Sequence, residues 1–338
     1  MRLSKKNIAI FIVLFIGIYL FGTYKMPYYI QKPGGADALN PIVEVEDGFE
    51  STGDMHLVTV SGMQATPLFY IFAKIMPHQE ILPIDQVFPE GMSQDDYMHA
   101  QLQVMESSQE AATVVAYEAA GESIDISYEG VYVVSVVEDM PAEEILQAGD
   151  RIIGIDGRDI KESQDLINYI DTLTAGDTVT VEIIRDDENL SEEIQLQQFS
   201  DNDEKIGLGI SLVTDRDVTV EPKVNFTSGN IGGPSAGLMF SLEIYDQLTE
   251  EDITKGKQIG GTGEVDYDGN IYRIGGIDKK VVASDKEGVD VFFAPNENGS
   301  EESNYQVAVD TAEEIGSTME IVPVDTFEDA LEYLQQMN

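Results

Sequence analysis

Asn230-Ile231-Gly232-Gly233-Pro234-Ser235-Ala236-Gly237-Leu238-Met239-Phe240 reads as a tight glycine turn that delivers a serine to the first turn of an apolar helix. Gly232 and Gly233 can take backbone angles closed to other residues and let a neighbouring backbone approach. Pro234 suits a first helical position, because its missing N–H would have no intrahelical partner there. Ser235 then stands where free N–H groups and the positive end of the helix dipole point outward. Such a place stabilises a developing oxyanion. Two readings of the turn remain open at this point: a capping serine, or a nucleophile with an oxyanion site in the turn from Gly232 to Ser235.

Two stretches downstream decide between them. One is Gly261-Thr262-Gly263-Glu264-Val265; the other is Arg273-Ile274-Gly275-Gly276-Ile277-Asp278-Lys279-Lys280-Val281-Val282-Ala283. GGPSAG, TGEV and IGGIDKKVVAS, in that order, resemble the proteolytic domain of the Lon peptidase family, whose enzymes use a serine–lysine dyad. The resemblance implies Ser235 as nucleophile and Lys280 as general base. It also implies that Thr262 helps to position the pair, although a threonine in a strand has a structural use too. The segment 105–112 (MESSQEAA) is similar to a helix that precedes the nucleophile in the same family.

The chemistry can be argued from the residues themselves. A serine hydroxyl needs a base to become a nucleophile, and none of the three histidines (His56, His78, His99) follows Ser235. A lysine base must be neutral. With an ordinary pKa of about 10.4, about one lysine in 2,500 is neutral at pH 7, a deficit of roughly 4–5 kcal/mol. Burial can lower a lysine pKa by about 3–5 units. Lys280 falls in the first turn of an expected helix, where the dipole disfavours a cation, and Val281, Val282 and Ala283 carry it toward the core. Lys279 is the rival. Neighbours on a helix point about 100° apart, so one lysine at most faces the serine.

The chain has 338 residues and no cysteine, so it has no thiolate nucleophile and no cysteine metal site. No HExxH pair and no GxxxxGK[ST] run occurs. The expectation is therefore a peptidase that uses no metal, cofactor or ATP and acts on peptides or already unfolded segments. A net charge of −44 makes nucleic acid a poor partner. The same charge suits either an ordinary solvated surface or a saline or alkaline exterior, where salt screens self-repulsion.

At the N-terminus, a basic start (Arg2, Lys5, Lys6) precedes an almost unbroken apolar run from Ile8 to Tyr24. That is the short end of a membrane span. The positive charge before it places the N-terminus in the cytoplasm and the rest outside. A cleaved signal peptide is the rival reading, but Phe21-Gly22-Thr23-Tyr24 is a poor cleavage site. Residues 25–50, with Pro27, Pro33, Gly34, Gly35 and Pro41, read as a linker. The apolar run 67–76 (PLFYIFAKIM) reads as a helix near core or membrane.

Between the two parts of the proteolytic sequence, Gly130-Val131-Tyr132-Val133-Val134-Ser135-Val136, then Leu146 to Gly157, a helix from 163 to 173 and a strand from 178 to 185 resemble a bacterial PDZ domain. Such domains bind an extended peptide as an added strand. Gly130, Val131, Tyr132 and Val133 are expected at the binding edge, with Ile167 and Ile170 lining a pocket. Ordinary core packing is the alternative for each of these apolar residues. The first glycine of the common GΦGΦ loop is replaced there by Tyr128 or Glu129, which counts against carboxylate capture.

The expected fold class is α+β: a Lon-type proteolytic domain with an inserted PDZ domain (a small barrel-like sandwich with helices), behind one transmembrane helix. The divisions read as tail 1–6, anchor 7–24, linker 25–50, proteolytic domain 51–126, PDZ 127–200 and proteolytic domain 201–338. The resemblance implies self-association, since Lon-type domains assemble into rings. A membrane-tethered PDZ scaffold with a vestigial dyad is the alternative; binding without cleavage would mark it.

Overall fold

The computed structural model describes residues 14–17, 19–88, 94–137, 139–185, 187–199, 202–229 and 231–337. It divides into two compact units: residues 1–123 with 220–338, and the insertion 124–219. The insertion is thus longer than residues 127–200 at both ends, because the strands Ser123–Val136 and Ile210–Glu221 belong largely to it.

In the first unit a six-stranded mixed sheet runs in the order Glu320–Val324, Val291–Pro295, Gln258–Gly261, Asp54–Gln64, Tyr28–Ala38, Glu80–Pro83. The first four are mutually parallel and the last two join antiparallel. Val291–Pro295 is buried throughout, as expected of a strand covered on both faces. The helix Gly237–Leu248 buries Leu238, Met239, Phe240, Leu242 and Ile244 completely, each a contribution of about 1.5–3 kcal/mol. Ser235 lies two residues ahead of this helix, in the turn, rather than inside its first turn.

The linker expected at 25–50 is instead the strand Tyr28–Ala38, deep in the sheet. Its prolines and glycines do not break it. The pairing with Asp54–Gln64 shifts register between Pro33 and Ala36, so Gly34 and Gly35 sit in a bulge. Ala36 of this strand and Val58 of its neighbour pack with Ile277 and Val281, seating the helix Ile277–Glu287 that carries Lys280.

Of the anchor expected at 7–24, residues 7–13 and 18 lie outside the described residues. Residues 14–17 and 19–23 are helical. No helix among the described residues is long and apolar enough to cross a membrane.

The second unit is a sheet in the order Ile210–Glu221, Ser123–Val136, Arg151–Ile155, Thr178–Arg185, Glu188–Gln195, with Arg158–Asp159 paired to Arg151–Ile155. The helix Ser163–Ile170 covers its core of Val131, Val133, Ile152, Ile155, Leu166, Val181 and Ile183.

Candidate active site

The nucleophile turn is shaped by its glycines. Gly233 has φ +95°, a left-handed conformation that few other residues take, and its N–H donates to the Gln101 carbonyl at 2.9 Å. At Gly232 a Cβ would come within 2.8 Å of the Gln101 Cβ. The long helix Gln94–Ala120 therefore holds the turn from behind. Ser108 adds a second tie, its hydroxyl donating to the Pro234 carbonyl at 3.0 Å. The Gly233 N–H is thus committed to Gln101 and Pro234 has none. Of the oxyanion site expected in the turn from Gly232 to Ser235, Gly233 therefore supports the shape of the turn, its N–H being taken by Gln101.

Ser235 and Lys280, 45 positions apart, meet with Nζ 2.7 Å from Oγ. Lys280 Nζ also lies 2.8 Å from Thr262 Oγ1. Thr262 directly follows the central strand Gln258–Gly261, and its hydroxyl donates to the Ser235 carbonyl at 2.8 Å. The Gly263 N–H donates to the same carbonyl at 3.0 Å. With its proton so engaged, Thr262 Oγ1 faces Lys280 as an acceptor and takes an N–H from the amine. A neutral amine held this way can turn its lone pair to the Ser235 hydroxyl.

Lys280 is almost fully buried and has no carboxylate partner among the described residues, and burial lowers its pKa to about 7. Lys279 differs in charge state. Burial acts against its cation, but Glu80 at 2.8 Å and Asp278 at 3.2 Å outweigh this and raise its pKa. Lys279 is held as an ammonium and does not face the serine. His56 is engaged elsewhere, with Nδ1 3.1 Å from the Ala36 carbonyl and Nε2 2.6 Å from Gln258 Oε1. No group of three or more His, Asp or Glu placed to hold a metal occurs among the described residues.

In the second unit the expected peptide edge needs correction. The strand bearing Gly130, Val131, Tyr132 and Val133 is interior to the sheet, between Ile210–Glu221 and Arg151–Ile155, so it offers no edge. Val131 and Val133 are core residues. Beside that strand, with Glu188–Gln195 at the opposite edge of the sheet, lies the edge strand Ile210–Glu221. The four residues that lead into it, Gly207-Leu208-Gly209-Ile210, are an intact GΦGΦ sequence. Gly209 has φ +86°, and a Cβ there would fall 2.1 Å from Met140.

The helix Ser163–Ile170 meets this edge, since the Ser163 N–H donates to Thr214 Oγ1 at 2.9 Å. Ile170 is buried in the core, while Ile167 stays exposed on the helix. The sequence signal for this edge is the GΦGΦ run itself, which follows the strands Arg151–Ile155 and Thr178–Arg185 in the chain.

Residues 191–336 match the family described as the Lon protease (S16) C-terminal proteolytic domain, and residues 100–196 match the PDZ domain family. The Lon protease of Aster yellows witches'-broom phytoplasma is 35% identical over 97 residues, covering 29% of this chain and 11% of that protein. The Lon protease of Campylobacter jejuni is 31% identical over 128 residues, covering 34% and 15%. The chain thus spans less than a sixth of either relative. The solved PDZ domain of the SdrC-like protein from Listeria monocytogenes is 41% identical, covering 26% of this chain and 93% of that one, with a TM-score of 0.25.

Proposed function

Starting from a chain that carries a PDZ domain and a Lon-type proteolytic domain, we propose that it is a serine endopeptidase working through a Ser235–Lys280 dyad. The observation that carries this is the buried, carboxylate-free amine of Lys280 at 2.7 Å from Ser235 Oγ. Lys280 Nζ takes the hydroxyl proton as Ser235 Oγ attacks the scissile carbonyl carbon. The N–H groups of Gly232 and Ser235 receive the oxyanion. The Lys280 ammonium gives its proton to the leaving amine as the C–N bond breaks, and a peptidyl ester remains on Ser235. Lys280 then deprotonates a water that attacks the ester, and the acid product leaves with the Ser235 hydroxyl restored.

The substrates proposed are peptides and unfolded or flexible segments, cleaved without ATP. The second unit would bring them in by adding an extended segment to the edge strand Ile210–Glu221. The intact GΦGΦ sequence supports capture of a C-terminal carboxylate there. The basic start and apolar run of residues 1–24 support a single anchor, with the two domains outside the cytoplasmic membrane. Self-association into a ring belongs to the same reading.

The test is cleavage of an unstructured protein by the full chain in detergent, without ATP. Fragments from the wild type but not from Ser235→Ala support the reading; equal cleavage by both overturns it.

A further inference from the structure

We propose that the helix Pro67–Ala73, with the turn that follows it, docks flat in the lipid interface as a second membrane contact beside the N-terminal apolar segment. This rests on the membrane-anchored reading and goes beyond it.

The helix is well formed. Thr66 caps it, accepting from the Phe69 N–H, and Pro67 opens it. Yet it is turned inside out: the only residue it buries is Ala73. Leu68, Phe69, Ile71, Phe72, Ile75 and Met76 are all exposed, Ile75 by 76%. An exposed apolar patch of this kind marks a surface that meets something apolar.

Charge says what covers it. The chain holds 63 acidic residues in 338, yet residues 1–36 and 55–79 hold none. The fold brings these two acid-free stretches together. Tyr29 to Ala36 pair along Val58 to Gln64, and the Met26 N–H donates to the Ala65 carbonyl at 2.8 Å. The Tyr28 and Tyr70 rings lie 5.1 Å apart. Lys25, Lys32 and Lys74 accompany this face; the carboxylate that borders it, Glu80 opposite Gln31, is taken up by Lys279 at 2.8 Å. Contact with another copy would also disfavour carboxylates, but it would set the lysines of the two copies against each other. An anionic lipid surface repels each carboxylate and attracts each lysine, which fits the charges kept here.

Position agrees with charge. Residues 14–17 and 19–23 form a helix with Leu14, Phe15, Tyr19, Leu20 and Phe21 exposed, and the chain passes from Tyr24 through Met26 straight to Ala65. The apolar helix therefore sits beside the point where the N-terminal segment joins the fold. A short helix with large apolar residues on its outer face, and lysines at its margin, suits interfacial binding.

The chain has no tryptophan, so single probes can be placed without background. Phe72→Trp reports the docking helix and Phe15→Trp the N-terminal segment. Val307→Trp, on an exposed position of the helix Asn304–Ile315, is the aqueous control. The full chain is reconstituted into phosphatidylglycerol–phosphatidylcholine vesicles with and without brominated acyl chains. The expected result is strong bromine quenching of the probes at 72 and 15, and none at 307. Quenching at 15 without quenching at 72 overturns the docking and leaves the anchor standing. Quenching at 72 alone keeps the docking and removes the anchor. A probe at 72 shielded from acrylamide yet not quenched by bromine means that protein, not lipid, covers the helix, and the proposal falls. No quenching at either position removes both.

Discussion

Lys279 and Lys280 are sequence neighbours buried to the same degree, each 3% exposed, yet their surroundings move their pKa values in opposite directions. Lys279 is paired with Glu80 and Asp278, and its pKa is raised. Among the described residues Lys280 has the hydroxyl oxygens of Ser235 and Thr262, and burial takes its pKa down to about 7. One step along a helix separates a structural cation from a candidate base.

Lys280 sets the pH dependence of turnover. The base must be neutral, so kcat/KM should rise about tenfold per pH unit below about 7 and level off above it. A rate profile on a peptide substrate measures this. A flat profile between pH 5 and 8 would exclude a lysine base with this pKa.

The same burial has a stability cost. The folded pKa of Lys280 lies below its ordinary value of 10.5. The unfolded chain therefore binds more protons between about 7 and 10.5, and the penalty, full below pH 7, fades as pH rises through that window. Lys280→Met should abolish cleavage while raising stability by roughly 3–5 kcal/mol at pH 7. Urea unfolding at pH 7 and pH 10 should show the gain shrinking.

Glu243 carries the opposite sign. It is buried on the nucleophile helix, and desolvation raises its pKa to about 7 despite a hydrogen bond from Gln247. Its stabilising effect is complete below the ordinary carboxyl value of 4.5 and is lost as pH rises through about 7. Glu243→Gln should add on the order of 3 kcal/mol at pH 8 and nothing at pH 4. Thermal melts across that range check it.

Thr262 acts through the amine. Thr262→Val keeps the shape but removes the acceptor that orients Lys280 Nζ. A fall in kcat of about 10- to 100-fold is expected with KM little changed, and Thr262→Ser should restore most of it. Equal rates for the valine variant and the wild type would reduce Thr262 to packing.

Binding to the second unit should follow the edge strand. Ile167→Glu places a charge on the helix beside Ile210–Glu221 and should weaken a peptide with a free C-terminal carboxylate by about tenfold or more, a loss of about 1.4 kcal/mol. Val134→Glu, an exposed position on the interior strand, should not. Titration of a fluorescent peptide compares them.

The parts of this protein legible in sequence are the local ones. The nucleophile turn, the TGEV stretch and the lysine helix each carry their geometry in a few adjacent residues, so Ser235, Thr262 and Lys280 could be named before they were seen to meet. The strand Tyr28–Ala38 was not legible. Pro33, Gly34 and Gly35 signal a loop, and only the tertiary pairing with Asp54–Gln64 accommodates them as a bulge. The peptide edge was misplaced for a topological reason. A GΦGΦ sequence at 207–210 follows the strands of its domain, and order in the chain says nothing of order in the sheet.

The most direct test of the dyad is digestion of casein by the full chain in detergent, without ATP, with fragments read by mass spectrometry. Four proteins are compared: wild type, Ser235→Ala, Lys280→Ala and Lys279→Ala. The account predicts cleavage by the wild type and the Lys279 variant, and a loss of about a thousandfold or more in the other two. Cleavage that survives Lys280→Ala but fails with Lys279→Ala would contradict it.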